Sequence, residues 1–433
     1  MSKLQRDSLN GTPRLPGDKS ISHRYAMLAA AGSGDSRLIN FSASQDCRST
    51  LRCLRQMGVE IRELEESIEI AGRGRASWQA PSSPLDCGNS GTALRLLSGL
   101  SAGLAFPVSL TGDASLSRRP MERICQPLRQ MGALISAAPG DRPPLTLQGG
   151  RPLSAIHYRT PVASAQVKSC VLLAGLNADG TTRVREPSPS RDHTERALPW
   201  FGIELDTEDG WIRLRPGSLN NPAELHIPGD LSAATFFIVG ALLAPGSHIR
   251  LESVGTNSTR GAFLKLLEQS SAPISFHHPR RFQGEPVGDL EIHFAAEWRQ
   301  GFPKSLSGAD IPNLIDEIPA LAVLGTQMRN GLTVRDAAEL RAKECDRIQA
   351  IVHNLRTLGA EARELEDGFH VPFTPRLTGG TIQTYGDHRI AMAFWLANLV
   401  SESRVELDDP TCVAISDPGF FREFEKVRRN GCD

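Results

Sequence analysis

Basic side chains recur in this chain where a polar turn meets an apolar run. In "LPGDKSISHR" (Leu15 to Arg24), Lys19 and Arg24 stand directly before "YAMLAAAG", Arg95 follows "GNSG", Lys168 sits in "SAQVKS" and Arg389 in "GDHRIAM". Connecting segments add Arg119 in "GDASLSRRPM", Arg191 in "SRDHTE", and Lys343 and Arg347 in "RAKECDR". Arginine meets phosphate or carboxylate with a planar pair of donors, and lysine is a mobile point charge that also moves a proton. Several such groups point to a ligand with more than one anionic centre. Two acidic positions stand among them: Asp316, with Glu317 beside it, opens the apolar run "IPALAV", and Glu344 lies between Lys343 and Arg347. A carboxylate near cations and partly desolvated can shuttle protons; capping or pairing is the plainer role.

The elements that must position these residues form a series. Six segments join a Gly- or Ser-containing polar turn to about three turns of small and aliphatic residues. They are "GDKSISHRYAMLAAAG", "GNSGTALRLLSGLSAG", "SAQVKSCVLLAGLNA", "GDLSAATFFIVGALLAPG", "IDEIPALAVLGTQ" and "GDHRIAMAFWLANLV". Being apolar on nearly every face, each reads as a helix buried all round, with a capping residue at its start. Between them runs a second, amphipathic series closed by glycine: "LRQMGVEI", "LRQMGALI", "LPWFGIEL" and "LRTLGAEA", with weaker copies in "LKLLEQSSAPI" and "FEKVRRNGCD". Glycine there ends a helix by taking positive φ without steric cost. The unit is a βα repeat of about 70 residues, present six times. Near-identical turns, "LPGDKS" and "IPGDLS", recur ~210 residues apart and read as domain crossovers. The expected first domain is 15–228; the expected second is 1–14 plus 229–433. Helix N-termini carry free N–H groups and a partial positive charge, so mouths gathered at one place would suit anions.

Composition narrows the function. A length of 433 residues favours two domains. A formal net charge of −1 excludes a general nucleic-acid or acidic-membrane binder. Eight cysteines without CxxC pairs suit reduced, unmetalled thiols and a cytoplasmic setting. The N-terminus has no apolar signal-like core, and "AATFFIVGALLA" is shorter than the roughly 20 residues of a membrane span.

At these motifs the chain resembles the 3-phosphoshikimate 1-carboxyvinyltransferase (EPSP synthase) family. "LPGDKSISHR", "GNSGTALR", "GDASLSRRPM", "SAQVKS", "IDEIPALA", "RAKECDR" and "GDHRIAM" follow the family's order and approximate spacing over the whole chain. The resemblance implies an α/β (α+β) fold, a two-domain inside-out α/β barrel of six βαβ-type repeats that closes on its substrates. It implies transfer of the enolpyruvyl group of phosphoenolpyruvate to the 5-hydroxyl of shikimate 3-phosphate, with no metal or organic cofactor, by a monomer. Carried over motif by motif, Lys19, Ser20, Arg24, Ser164, Ala165, Gln166, Arg191, Asp316 and Lys343 would hold shikimate 3-phosphate. Lys19, Gly91, Arg119, Gln166, Arg347 and Arg389 would hold phosphoenolpyruvate. Asp316, Glu344 and Lys19 would move the protons. "SAQVK", "RDHTE" and "NSTR", with Ile415 where other members carry lysine, resemble a bacterial subgroup often insensitive to glyphosate; the retained Gly91 argues the other way.

Other readings fit less well. UDP-N-acetylglucosamine enolpyruvyl transferase carries a reactive cysteine where this chain has Ala114, and "GAKN" where it has "GDKS". RNA 3′-phosphate cyclase would call for aromatics among the basic residues, and aromatics are only 6%. The P-loop spacing is absent from "GDKS". A non-catalytic anion-binding protein of the same fold would have lost an acid or an arginine, and these positions are filled.

Overall fold

A computed structural model of the chain describes residues 7–429, so Cys432 and the terminal "NGCD" lie outside it. The chain divides into two compact units. The first comprises Gly17–Pro228 with Arg281–Glu285; the second comprises the described parts of Met1–Pro16 and Pro286–Asp433, with Gly229–Arg280. These boundaries differ from 15–228 and 1–14 plus 229–433 in two places. Leu15 packs into the second unit's core, and the Pro16 carbonyl accepts the Asp230 N–H at 2.9 Å, so the chain changes unit at Gly17. Residues 281–285 turn a long hairpin (Ile274–Phe282 and Glu285–His293) and group with the first unit. Three contacts hold them there: His226 N–H to Gln283 Oε1 at 2.9 Å, Arg196 Nη1 to the Gly284 carbonyl at 2.9 Å, and His193 Nδ1 to Glu285 Oε1 at 2.8 Å. Nothing local in "RFQGE" announces partners so distant in sequence.

In the first unit the three apolar segments form buried helices, Lys19–Ala31, Gly91–Ser101 and Ala165–Gly175. Small residues let them approach closely: a Cβ on Gly99 would lie 2.3 Å from the Cys170 carbonyl oxygen. Two of the helices cross between parallel strands, joining Leu85–Asp86 to Val108–Thr111 and His157–Arg159 to Thr182–Arg185. The third parallel pair closes when the returning chain, Glu224–His226, lies beside Ser33–Ile39. An antiparallel hairpin completes each pair into a four-stranded sheet. The amphipathic helices Gln45–Gln56 and Glu122–Gln130, and the short His193–Ala197 with its 3₁₀ turn Leu198–Phe201, cover these layers. They end at Gly58, Gly132 and Gly202, with φ of 85°, 96° and 79°.

The second unit repeats the plan with losses. Its buried helices are Leu231–Leu243, Ile318–Gly325 and His388–Trp395. The parallel pairs are Ser8–Gly11 with His248–Gly255, Ser305–Leu306 with Leu332–Val334, and Gly380–Ile382 with Val405–Leu407. Among the described residues the last pair stands without a hairpin as a two-stranded sheet. Its continuation is instead the 3₁₀ helix Pro410–Ile415 and the helix Phe420–Val427. Arg428–Arg429 then pairs antiparallel with Ser8–Gly11. In the weak copy "LKLLEQSSAPI", Ser271 takes the positive φ, 55°, that glycine supplies elsewhere.

Candidate active site

Five of the six buried helices open on a side-chain cap. Asp18, Ser90, Ser164, Asp230 and Asp387 accept the N–H groups of Ile21, Ala93, Val167, Ser232 and Arg389. The exception is Ile318–Gly325, where Glu317 occupies the cap position but its carboxylate accepts the Ser232 hydroxyl at 2.5 Å instead. Glu317 therefore does not fill the capping role read for one of the two acids of "IDEIPALA".

In the first unit, Lys19 is the first helical residue after its cap and lies 3.0 Å from Asp46, an acid in the first turn of Gln45–Gln56. Ser20 follows, and its carbonyl accepts Arg24 Nη1 at 2.9 Å one turn on. Arg24 is buried. Its Nε and Nη2 donate to Thr194 and Ser169 hydroxyls at 2.7 Å each. Burial lowers its pKa to about 10, with Glu195 and Asp18 opposing and Arg191 adding to the fall. Three of its five N–H donors are thus spent within the unit. Around Gly91, Arg95 Nη1 donates to Gln166 Oε1 at 2.5 Å and Gln166 Nε2 to the Thr92 hydroxyl at 2.8 Å. A Cβ on Gly91 would sit 2.7 Å from Arg95 Nη1 and 3.6 Å from Arg119 Nη1. Arg119 is steadied by Asn89 and Ser115, at 3.0 and 3.2 Å. Ser164 caps its helix and Ala165 begins it. Lys168, read as one more cation at a helix mouth, is instead sealed between Glu186 and Glu195 at 2.7 and 2.8 Å.

In the second unit the acids and arginines interlock. Arg347 is buried, with Nε 2.7 Å from Asp387, Nη2 2.6 Å from Glu344 and Nη1 3.7 Å from Asp316. Burial works against its charge, but Asp387, Glu344 and Asp316 outweigh that and hold its pKa above the ordinary value. Arg389 Nε lies 3.4 Å from the same Asp316 oxygen, and Nη1 donates to the Asp316 carbonyl at 3.2 Å. Asp316 thus stands between two arginines, and Glu344 shares one of them. Lys343 pairs with Glu339 at 2.7 Å, one helical turn earlier. Sequence reasoning missed Asp46 and Asp387, the carboxylates that orient Lys19 and Arg347. In "SASQD" and "GDHR" both sit where an ordinary helix start would place an acid.

Among the described residues no group of three or more His, Cys, Asp or Glu is arranged to hold a metal ion. Among the described residues no helix is long and apolar enough to cross a membrane.

Comparison with known proteins gives a consistent result. The family model described as EPSP synthase (3-phosphoshikimate 1-carboxyvinyltransferase) matches residues 4–424. The chain is 46% identical to the 3-phosphoshikimate 1-carboxyvinyltransferase of Salinibacter ruber, covering 98% of each chain, and 44% identical to that of Solibacter usitatus, covering 97% of each. The EPSP synthase structure from Acinetobacter baumannii superposes with a TM-score of 0.85 at 39% identity, over 98% of this chain and 96% of that one. The enolpyruvyl transferase NikO from Streptomyces tendae shares the fold at 17% identity, with a TM-score of 0.77 over 98% of this chain and 96% of its own.

Proposed function

The chain belongs to the EPSP synthase family, the 3-phosphoshikimate 1-carboxyvinyltransferases, and we propose how its residues divide that reaction. The enzyme transfers the enolpyruvyl group of phosphoenolpyruvate to the 5-hydroxyl of shikimate 3-phosphate, releasing phosphate, in the shikimate route to chorismate and the aromatic amino acids.

Phosphoenolpyruvate carries a phosphate and a carboxylate, and Lys19, Gly91, Arg119, Gln166, Arg347 and Arg389 are its proposed partners. Shikimate 3-phosphate is assigned to Lys19, Ser20, Arg24, Ser164, Ala165, Gln166 and Arg191, with Asp316 and Lys343 near the ring hydroxyls. Bringing two polyanions together is unfavourable in water, so much of the acceleration is positioning and preorganised positive charge. The chemistry is addition followed by elimination. The 5-hydroxyl loses a proton as its oxygen attacks C2 of phosphoenolpyruvate, and the methylene carbon gains one, giving a tetrahedral ketal. Loss of a methyl proton then expels phosphate and restores the double bond. Asp316 and Glu344 are the proposed proton carriers, and Lys19 the acid toward the departing phosphate. The observation that supports this assignment is geometric: one Asp316 oxygen lies 3.4 Å from Arg389 and 3.7 Å from Arg347, the two arginines assigned to phosphoenolpyruvate. The working unit is a cytoplasmic monomer.

The test is phosphate release from phosphoenolpyruvate plus either shikimate 3-phosphate or UDP-N-acetylglucosamine. Release with shikimate 3-phosphate alone is expected; release with neither, from folded protein, would favour an anion-binding role. Glyphosate is expected to inhibit weakly, and an inhibition constant comparable to the binding of phosphoenolpyruvate would count against that.

A further inference from the structure

The Lys168 cluster lies outside the residues assigned to either substrate, yet it touches two segments that carry them. Glu186 has a side chain only 5% exposed, and its partners fill both oxygens. Oε1 accepts the Ser164 backbone N–H at 2.8 Å and the Ser190 hydroxyl at 2.7 Å; Oε2 receives Lys168 Nζ at 2.7 Å and the Ser190 N–H at 3.3 Å. An ionised carboxylate offers about four acceptor sites, so this one is saturated. Lys168 also donates to the Ser190 carbonyl at 3.3 Å, and burial raises the pKa of its other partner, Glu195, while Lys168 opposes the rise. One side chain thus ties the start of the Ala165–Gly175 helix to the segment that presents Arg191.

We infer that Glu186 is a positioning residue for the phosphorylated acceptor, setting the separation and orientation of Ser164 and Arg191. This rests on the shikimate 3-phosphate reading above. Ser164 Oγ accepts the Val167 N–H at 3.4 Å, which leaves its own hydroxyl proton to donate elsewhere. Glu186 takes up the Ser164 and Ser190 N–H groups and the Ser190 hydroxyl proton, so it fixes the backbone that carries the Ser164 hydroxyl and, one residue after Ser190, Arg191. Neither is assigned to phosphoenolpyruvate, so a disturbance here falls on one substrate.

The experiment is steady-state kinetics of Glu186→Ala, Glu186→Gln and Ser190→Ala, varying each substrate in turn, with thermal melting as a check on folding. Lys168 keeps Glu195 in every variant. Glu186→Ala is expected to raise KM for shikimate 3-phosphate about tenfold, the loss of one charged hydrogen bond's worth of binding, with kcat and KM for phosphoenolpyruvate changed by less than about twofold. Glu186→Gln keeps an oxygen for the Ser164 N–H and should recover part of that loss. Ser190→Ala should move the same constant, and the double variant Glu186→Ala/Ser190→Ala should be no worse than Glu186→Ala alone. If both KM values move together, or neither moves in natively melting Glu186→Gln and Ser190→Ala, the inference is wrong. Those two variants decide the matter even if Glu186→Ala fails to fold. Wild-type protein inactive with shikimate 3-phosphate would instead overturn the underlying reading.

Discussion

Lys19, the proposed acid toward the departing phosphate, sits in a well-defined setting. It is 20% exposed, begins a helix whose N-terminal field favours anions, and is held by Asp46 at 3.0 Å. That pairing keeps the ammonium aimed while leaving it one of several groups able to meet a phosphate. Lys19→Met removes charge and proton together at nearly constant volume. Turnover should fall by about 10² or more, the usual weight of a general acid, with the melting temperature little changed; near-normal kcat would remove Lys19 from the mechanism. Asp417 is a different case, an acid that the reaction does not use. It is 5% exposed, accepts the Gly419 N–H at 3.0 Å, and burial, with Asp230 and Glu423 nearby, raises its pKa to about 7. The unfolded chain releases this proton near 3.8. Between those values the folded state holds a proton that the unfolded state does not, so this contribution to stability is full at low pH and is lost as pH rises through 7. Asp417→Asn should therefore melt higher than wild type at pH 8, by a few kcal/mol at most at about 1.4 kcal/mol per pKa unit. Below about pH 4, where both states are protonated, this advantage should vanish. A difference in melting temperature that does not change with pH would contradict it.

At the level of elements, the sequence disclosed most of the frame because its signals are local. Capping residues before apolar runs and glycines after amphipathic ones act through nearest neighbours, and five of the six buried helices bear caps of the expected kind. What stayed hidden was long-range: Arg347 with Asp387, 40 positions apart, Arg24 with Thr194, 170 apart, and the hairpin turn that joins His193 through Glu285. Such partners are chosen by tertiary packing, and no periodicity marks them. Lys168 illustrates the cost of that blindness, since its type and place at a helix mouth suggest a ligand contact while packing makes it structural. The crossover turn "LPGDKS" combines both kinds of information. Gly17 is required by a tertiary approach, because a Cβ there would lie 1.7 Å from the Asn40 carbonyl oxygen. The next residue, Asp18, donates its N–H to the Pro228 carbonyl at 2.8 Å and caps the helix that carries Lys19. Gly17→Ala must push the turn off Asn40. It should cost at least the 1–3 kcal/mol typical of overpacking and lower kcat along with the melting temperature. Gly386→Ala makes a useful contrast, since nothing lies within 4 Å of a Cβ there and the cost is one of backbone conformation alone, φ being 68°. Normal stability in Gly17→Ala would show that the turn can move without disturbing its helix.

For the molecule as a whole, each unit carries its own buried core. One centres on the Lys19, Gly91 and Ala165 helices, the other on those beginning at Leu231, Ile318 and His388. Both obey the same repeat, yet the copies have diverged, the sixth having lost its hairpin and the fourth its closing glycine. The repeated pattern in the sequence therefore predicted the architecture more faithfully than it predicted each copy. Two cores of this size make departure from a single two-state transition the expectation. Leu97 and Leu321 are each fully buried, one in each core. Leu97→Ala and Leu321→Ala should each cost about 2–5 kcal/mol, the range for emptying a leucine site. In calorimetry, Leu97→Ala should lower the transition of the first unit and Leu321→Ala that of the second, each leaving the other midpoint within a degree or two. A single transition shifted equally by both substitutions would mean that the two cores unfold as one cooperative body, and stability could then no longer be assigned unit by unit.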